Sequence, residues 1–307
     1  MDRPRLPRTI IGYVIRKSGF HQLGLAALSA GVFGLSAVPL ELQRRIVNDA
    51  IKSGATRTIL WLAIAYAGVA LLEQSFKLAL NVYRGWVSED AVRTLRRTIH
   101  ADGHSLGANE SQEVGTHAAM VVAEAEPIGG FVGLALSEPL LQAGILLSVI
   151  GYMAYLEPWT LPLCAAFLLP QLLFVPPIQR AINRRAATRI KVLRGVSGGI
   201  VESGEPAEAG VQKVFSLNMG IYKLKYSMNL GMNMMHYLAV AAALGIGGWF
   251  AASGRIDVGT VVAVASGLGK LNDPWGDLVS WAREWSVDSV KYRLFADAVN
   301  GRGLATA

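Results

Sequence analysis

Long stretches without a charged residue constrain this chain more than any other feature. The longest covers residues 226–254, between Lys225 and Arg255. Others cover 18–40, 58–72, 139–156, 158–179 and 258–269. A helix needs about 20 mostly apolar residues to cross a bilayer. In lipid the backbone must satisfy its own hydrogen bonds, so a chain built from such windows folds as membrane-spanning helices. The bulk composition agrees. Charged residues make up 17%, against about 25% in soluble domains, and mean hydropathy is +0.37.

Two windows are short and run into charge. Glu73 and Lys77 are four apart, so on a helix they share a face and can pair. Lys270 and Asp273 are three apart and can do the same. With those pairs allowed, the sequence predicts six spans near 22–41, 57–79, 131–155, 158–177, 233–253 and 257–276. The preceding segment, 1–21, is basic and weakly amphipathic, "MDRPRLPRTIIGYVIRKSGFHQ". It is too polar for the apolar part of a signal peptide and reads as an interfacial helix. Residues 299–307 read as a flexible tail.

The connections alternate in length. Those near 42–56, around Pro158 and at "SGRID" are short, whereas 80–130 and 178–232 run to about fifty residues each. Both long connections carry helical periodicity. Val92, Leu95 and Ile99 share one face, with Arg93, Arg96, Arg97 and His100 elsewhere. Ile178, Ile182, Ala186, Ile190 and Leu193 recur against Arg180, Arg184, Arg185, Arg189 and Lys191. These patterns predict amphipathic helices continuing out of the membrane. Gly103 and Gly107 in one, and Gly204 and Pro206 in the other, mark reversals. Half of fifty residues at the helical rise gives an arm of about 35 Å.

Lysine and arginine are distributed unevenly. The N-terminal segment has five, the long connections four and nine, and the stretch after 276 four; the opposite side has five. That bias puts both termini and both arms in the cytoplasm of a plasma (inner) membrane protein. Trp61, Tyr152, Tyr155, Trp159 and Trp249 fall near the expected outer boundary, where amphipathic rings prefer to sit. The net charge of +7 is accounted for by this asymmetry, so no nucleic acid is implied. The single cysteine, Cys164, lies in an apolar run and forms no intramolecular disulfide.

Six spans, an interfacial first helix, two cytoplasmic arms and short outer loops together resemble the transmembrane domain of an ABC exporter of the six-helix type. Local stretches support the resemblance: "VPLELQRRIVNDAI" (38–51), "GTHAAMVVAEAEPIGGFV" (115–132) and "VGTVVAVASGLGKLNDPWGDLVSW" (258–281). It covers about residues 8–298. The fold class it implies is an all-α membrane protein with six transmembrane helices and two long helical extensions, the transmembrane domain spanning 22–298. It also implies a homo- or heterodimer of transmembrane subunits that moves an unknown substrate across the bilayer by alternating access.

The ATPase half of such a transporter is missing from these residues. No G-x-x-x-x-G-K-[ST] loop occurs; "SGLGKL" (266–271) has Leu271 where Ser or Thr would meet magnesium. "VSGG" (196–199) looks like a motor signature but has no phosphate cradle to serve, and reads as glycines loosening a helix before a turn. The resemblance therefore implies separate ABC ATPase subunits that supply the ATP and magnesium. They would dock at two turns near 106–117 and 202–212, with Glu110, Glu113, Gly115, Gly204, Glu205 and Glu208 as candidate contacts.

Within the membrane, Glu73, Lys77, Glu138, Gln142 and Gln171 are the polar candidates, because ionisable groups at depth are costly and tend to be functional. Glu138 and Gln142 share a helical face. Ala239, Ala243, Gly247 and Ala251 form a small-residue stripe suited to close helix packing, as do Gly129 and Gly133. Pro139, Pro162, Pro170, Pro176 and Pro177 predict kinks in the third and fourth spans. His100 and His104 are four apart but have no third ligand nearby, so no metal site is predicted. No nucleophile–base pair or paired carboxylates suggest an enzyme. Two alternatives stay open: a proton-driven secondary transporter on the same scaffold, with Glu73 or Glu138 essential, and a non-transporting membrane interaction partner.

Overall fold

A computed structural model describes residues 6–52, 54, 56–103, 125–203 and 208–299. Among them all regular structure is helical: α1 (Ile10–Leu35), α2 (Val38–Lys52), α3 (Thr56–Gly103), α4 (125–134), α5 (Ser137–Leu156), α6 (Thr160–Ser203), α7 (Glu208–Ala252) and α8 (Val258–Val299). Five stretches are long and apolar enough to cross a membrane: Ile10–Ile51, Thr56–Thr98, Ala125–Leu156, Thr160–Arg189 and Glu208–Ala252. The sixth expected span falls on α8, where the apolar run 258–269 is cut by Lys270, Asn272 and Asp273.

These windows keep their apolar side chains outside. In the apolar window of α3 only 6% is buried, and Leu60, Trp61, Ile64, Leu71, Leu78 and Val82 are all exposed. A water-soluble monomer does not expose apolar surface on that scale. Hydrocarbon is the solvent that matches it, so the chain is an integral membrane protein.

The contacts divide the chain into two units, one of residues 1–152 with 273–307 and the other of 153–272. In the first unit, successive contacts give the helix directions. Lys17 meets Asp90, Gly24 approaches Tyr83 and Gly31 approaches Phe76, so α1 and α3 are antiparallel. Arg96 meets Glu126, Val92 lies on Gly129 and Arg84 reaches Ser137, so α3 is antiparallel to α4 and α5 too. Gln22 and Ser29 of α1 donate to Val132 O and Ser137 O, which makes α5 parallel to α1. Phe131 packs against Trp285 and Gln142 bonds Asp277, so α8 runs back antiparallel to α5. The ends meet as well: the Tyr292 hydroxyl donates to Pro7 O at 2.8 Å, and its ring packs on Tyr13.

Small residues make these approaches possible. A Cβ on Gly129 would stand 2.7 Å from the Val92 backbone nitrogen, and one on Gly133 would stand 2.5 Å from Arg84 O. The reading of both as packing glycines holds. Gly24, Gly31 and Gly144 play the same part against Tyr83, Phe76 and Phe33.

The second unit is dominated by α6 packed on α7. Phe167 with His236, Phe174 with Gly231, Arg185 with Gly220 O (2.8 Å) and Arg189 with Asn218 (3.2 Å) fix an antiparallel pair. The arginine contacts lie beyond the uncharged windows 158–179 and 226–254, so the pair persists as an arm. At 1.5 Å per residue, 178–203 adds about 40 Å to the span. Of the expected inner face Ile182 is buried, whereas Leu193 is exposed. In α7, Ala239, Ala243 and Gly247 are buried, and Gly247 lies against Val261 and Trp159. The predicted small-residue stripe therefore packs.

Several boundaries differ from expectation. Residues 42–56 are mostly helix rather than loop. α2 begins at Val38, with Glu41 bound to both Arg44 (2.8 Å) and Arg45 (2.6 Å), pairs that support its first turns. The reversal is confined to the region of Gly54, whose φ of +56 suits glycine. α1 is interrupted at Ser18 (φ −131, ψ 17), where the hydroxyl bonds Val14 O and accepts from Gln22. This break separates the polar first turns from the apolar run, near the expected end of the interfacial helix. α6 runs uninterrupted through Pro170, Pro176 and Pro177. Pro139 and Pro162 sit in first turns, where no helical N–H is needed. α7 ends at Ala252, and the chain turns at Gly254 (φ +73), with Arg255 N bonding Phe250 O. The Arg255 guanidinium caps the Trp249 and Phe250 rings.

Candidate functional site

The break between α4 and α5 leaves Ser137 and Glu138 at the start of a new helix, facing α3. Arg84 of α3 enters this corner and is 7% exposed. Its Nε donates to Ser137 Oγ at 2.8 Å, and its Nη1 meets Glu138 Oε2 at 2.5 Å. Ser137 Oγ in turn donates to Gly133 O at 2.7 Å. One turn along α5, the Gln142 amide donates to Glu138 Oε1 at 2.7 Å and to Asp277 Oδ2 at 2.9 Å. Five side chains thus form one polar network across α3, α5 and α8. Arg84 Nη2 is buried without a hydrogen-bond partner in it.

The network has one guanidinium and two carboxylates. Arg84 neutralises Glu138 directly. Asp277 receives only an amide bond, is exposed, and gives the network an open corner. Such an arrangement can lock three helices in register, or take up a proton at the carboxylate side. Its one hydroxyl, Ser137 Oγ, donates to Gly133 O rather than to either carboxylate.

The sequence candidates fare differently. Glu138 and Gln142 do share a face and are joined here. Glu73 is 6% exposed and pairs with Lys77 at 3.0 Å, as the spacing predicts. Gln171 is fully buried; its amide donates to Phe167 O within α6 while its Oε1 has no partner among the described residues. Glu208 is the exposed first residue of α7. Glu110, Glu113, Gly115, Gly204 and Glu205 lie outside the described residues, as does His104. Arg84 and Asp277 were not among the candidates. The available signal was the hairpin itself: folding α3 back along α4 and α5 sets residue 84 against 137.

A second cluster ties α2 to α5. Glu41, already paired with Arg44 and Arg45, accepts from the Tyr152 hydroxyl at 2.7 Å. No protein-family model matches the chain, and a search of curated proteins finds no significant similarity.

Proposed function

We propose that this chain is the membrane-spanning subunit of an ABC-type exporter, working with separate ATPase subunits. The observation that carries the reading is that α3, α6 and α7 continue as paired helices well past membrane length. α3 has 48 residues, α6 44 and α7 45, so each extends to roughly 66–72 Å against a hydrocarbon core of about 30 Å. Arms of this length carry force between the bilayer and a soluble partner. ATP-driven closure of two ATPase subunits would draw the arm tips together and switch the pathway between inward- and outward-facing states. The chain contributes differential contacts in the two states; the ATPase supplies the energy.

Pairing with a second copy or a close relative fits α7. Val211, Phe215, Met219, Tyr222, Tyr226 and Leu230 are exposed at three- and four-residue intervals. This apolar line begins on the arm, beyond what lipid would cover. The basic bias puts arms and termini in the cytoplasm, with Arg57 and Ser253 outside.

Two measurements test the reading. In a Cys164→Ala background, an impermeant maleimide should label Arg57→Cys and Ser253→Cys from outside, and Arg93→Cys only after permeabilisation. The tagged chain should then co-purify with an ATPase from its own membranes, and Glu205→Lys with Glu208→Lys should break that complex. An intact complex in the double variant removes the docking assignment.

The Arg84–Glu138–Gln142–Asp277 network favours a second reading, a proton-driven transporter on the same scaffold. Transport that stops when the proton gradient collapses, and is indifferent to ATP depletion, selects it over the first.

A further inference from the structure

Where the N-terminal end of α1 meets α8, a half-open cleft of about 590 Å³ is lined on one side by Arg8, Thr9 and Ile11 and on the other by Trp285, Ser289 and Arg293. The α8 residues are spaced four apart and so lie on one face of the helix. The volume is within the range of small-ligand pockets. Two arginines line one cleft, and among the described residues neither has a carboxylate partner. Like charges held together without a counter-ion call for an anion, and a guanidinium matches phosphate oxygens in a bidentate fork. The hydroxyl of Ser289 adds a hydrogen-bond donor.

The surroundings identify what carries that anion. Ile11 lines the cleft, and one turn further along α1 Ile15 is exposed; past the Ser18 break Phe20 and Leu23 are exposed too. This apolar line leads from the cleft into the segment that meets lipid. The Trp285 ring, held between Phe131 and Trp281, supplies an apolar wall beside the polar groups. Aromatic rings flanked by arginine belong at the headgroup level of a bilayer. A free phosphate would use the arginines and leave the apolar line unused; an amphiphile uses both.

We infer that the α1–α8 cleft binds an anionic glycerophospholipid from the adjoining leaflet, its phosphate between Arg8 and Arg293 and an acyl chain along Ile11, Ile15, Phe20 and Leu23. The bound lipid would tie the first turns of α1 to the end of α8. The inference needs only a membrane surface at α1, and it stands whether or not an ATPase partner exists.

Native mass spectrometry of the full chain in detergent, titrated with phosphatidylglycerol or phosphatidylcholine of identical acyl chains, tests it. The first phosphatidylglycerol adduct should form at roughly thirtyfold lower lipid concentration than the phosphatidylcholine adduct, since each of the two arginines near an anionic headgroup contributes about 1 kcal/mol. Arg8→Gln with Arg293→Gln should erase the preference. Arg180→Gln with Arg184→Gln, which removes the same charge from the arm, should keep it. Ser289→Asp should erase it as well, and stands in if the arginine pair lowers the melting temperature. Millimolar inorganic phosphate should leave the adduct in place. Three results overturn the inference: no preference in the unmodified chain, an equal loss in the arm variant, or a preference that survives both cleft variants. Displacement by inorganic phosphate overturns the lipid as the source of the anion.

Discussion

Replacing Arg84 by methionine tests whether the buried network holds the α3–α5–α8 corner together. Methionine keeps the stem's packing and removes the guanidinium. It strands Glu138, whose side chain is 15% exposed, beside an apolar wall, and takes a donor from the fully enclosed Ser137 hydroxyl. Breaking a buried ion pair by deleting one partner costs about 3–5 kcal/mol. Glu138 keeps its bond from Gln142, so the low end, near 3 kcal/mol, is expected. For a chain of 307 residues that is a fall in melting temperature of roughly 5 °C. Thermal unfolding in one detergent reads it. Glu138→Met in the Arg84→Met background removes the stranded charge and should recover most of the loss, giving a coupling of about 2 kcal/mol or more. Arg84→Lys should recover little, because an ammonium cannot serve Ser137 and Glu138 with one planar fork. A loss below about 1 kcal/mol, or additive single variants, would refute the argument that these charges are exchanged with each other rather than with solvent.

Other perturbations separate packing from charge. Gly133→Ala should destabilise by about 1–3 kcal/mol, since its Cβ meets the Arg84 backbone carbonyl as well as the Ser88 hydroxyl, and the backbone cannot rotate away. Gly130→Ala, whose Cβ meets nothing within 4 Å, should be neutral or gain up to about 1 kcal/mol of helix propensity; equal losses at both glycines would contradict the assigned face of α4. Asp288 lies in α8 beyond its apolar run, where burial raises its carboxyl above the usual range, opposed by Lys291 at 3.5 Å. The native state then holds the proton more tightly than the unfolded chain, so stability is greatest in acid and falls as pH rises from about 4 through the native value. Asp288→Asn should melt higher than the parent at neutral pH, with the gap closing on acidification; a gap independent of pH would be inconsistent with burial as the cause.

Helix placement was legible in the sequence because lipid allows so few solutions. Uncharged windows of membrane length must be helices: those at 58–72 and 139–156 fall inside single helices, and those at 158–179 and 226–254 do so but for two residues at one end. Boundaries were less legible where charge ceased to mark them. Glu41 reads as the end of a span, but its pairs with Arg44 and Arg45 carry helix on to Lys52. Prolines marked no boundary either: α6 continues through Pro170, Pro176 and Pro177, as a helix among neighbours and lipid can where one in water would break.

The polar network was only half legible, and the missing half shows what a linear reading lacks. Glu138 and Gln142 are four apart, so one helix brings them together and the spacing announces it. Arg84 and Asp277 stand 54 and 139 residues from Glu138, and only tertiary register joins them. That register comes from glycines, not from charge. Val92 rests on Gly129, and the Arg84 carbonyl lies on Gly133, so α3 can slide neither way without driving backbone into a side chain. With the register fixed there, the Arg84 side chain has one place to go, the gap opened by the α4–α5 break, where Ser137 and Glu138 receive it. A buried charge therefore sits where it does because two glycines upstream set the spacing, and a shift of one helical turn at Gly133 would unpair Glu138 before it disturbed any apolar contact in the same corner.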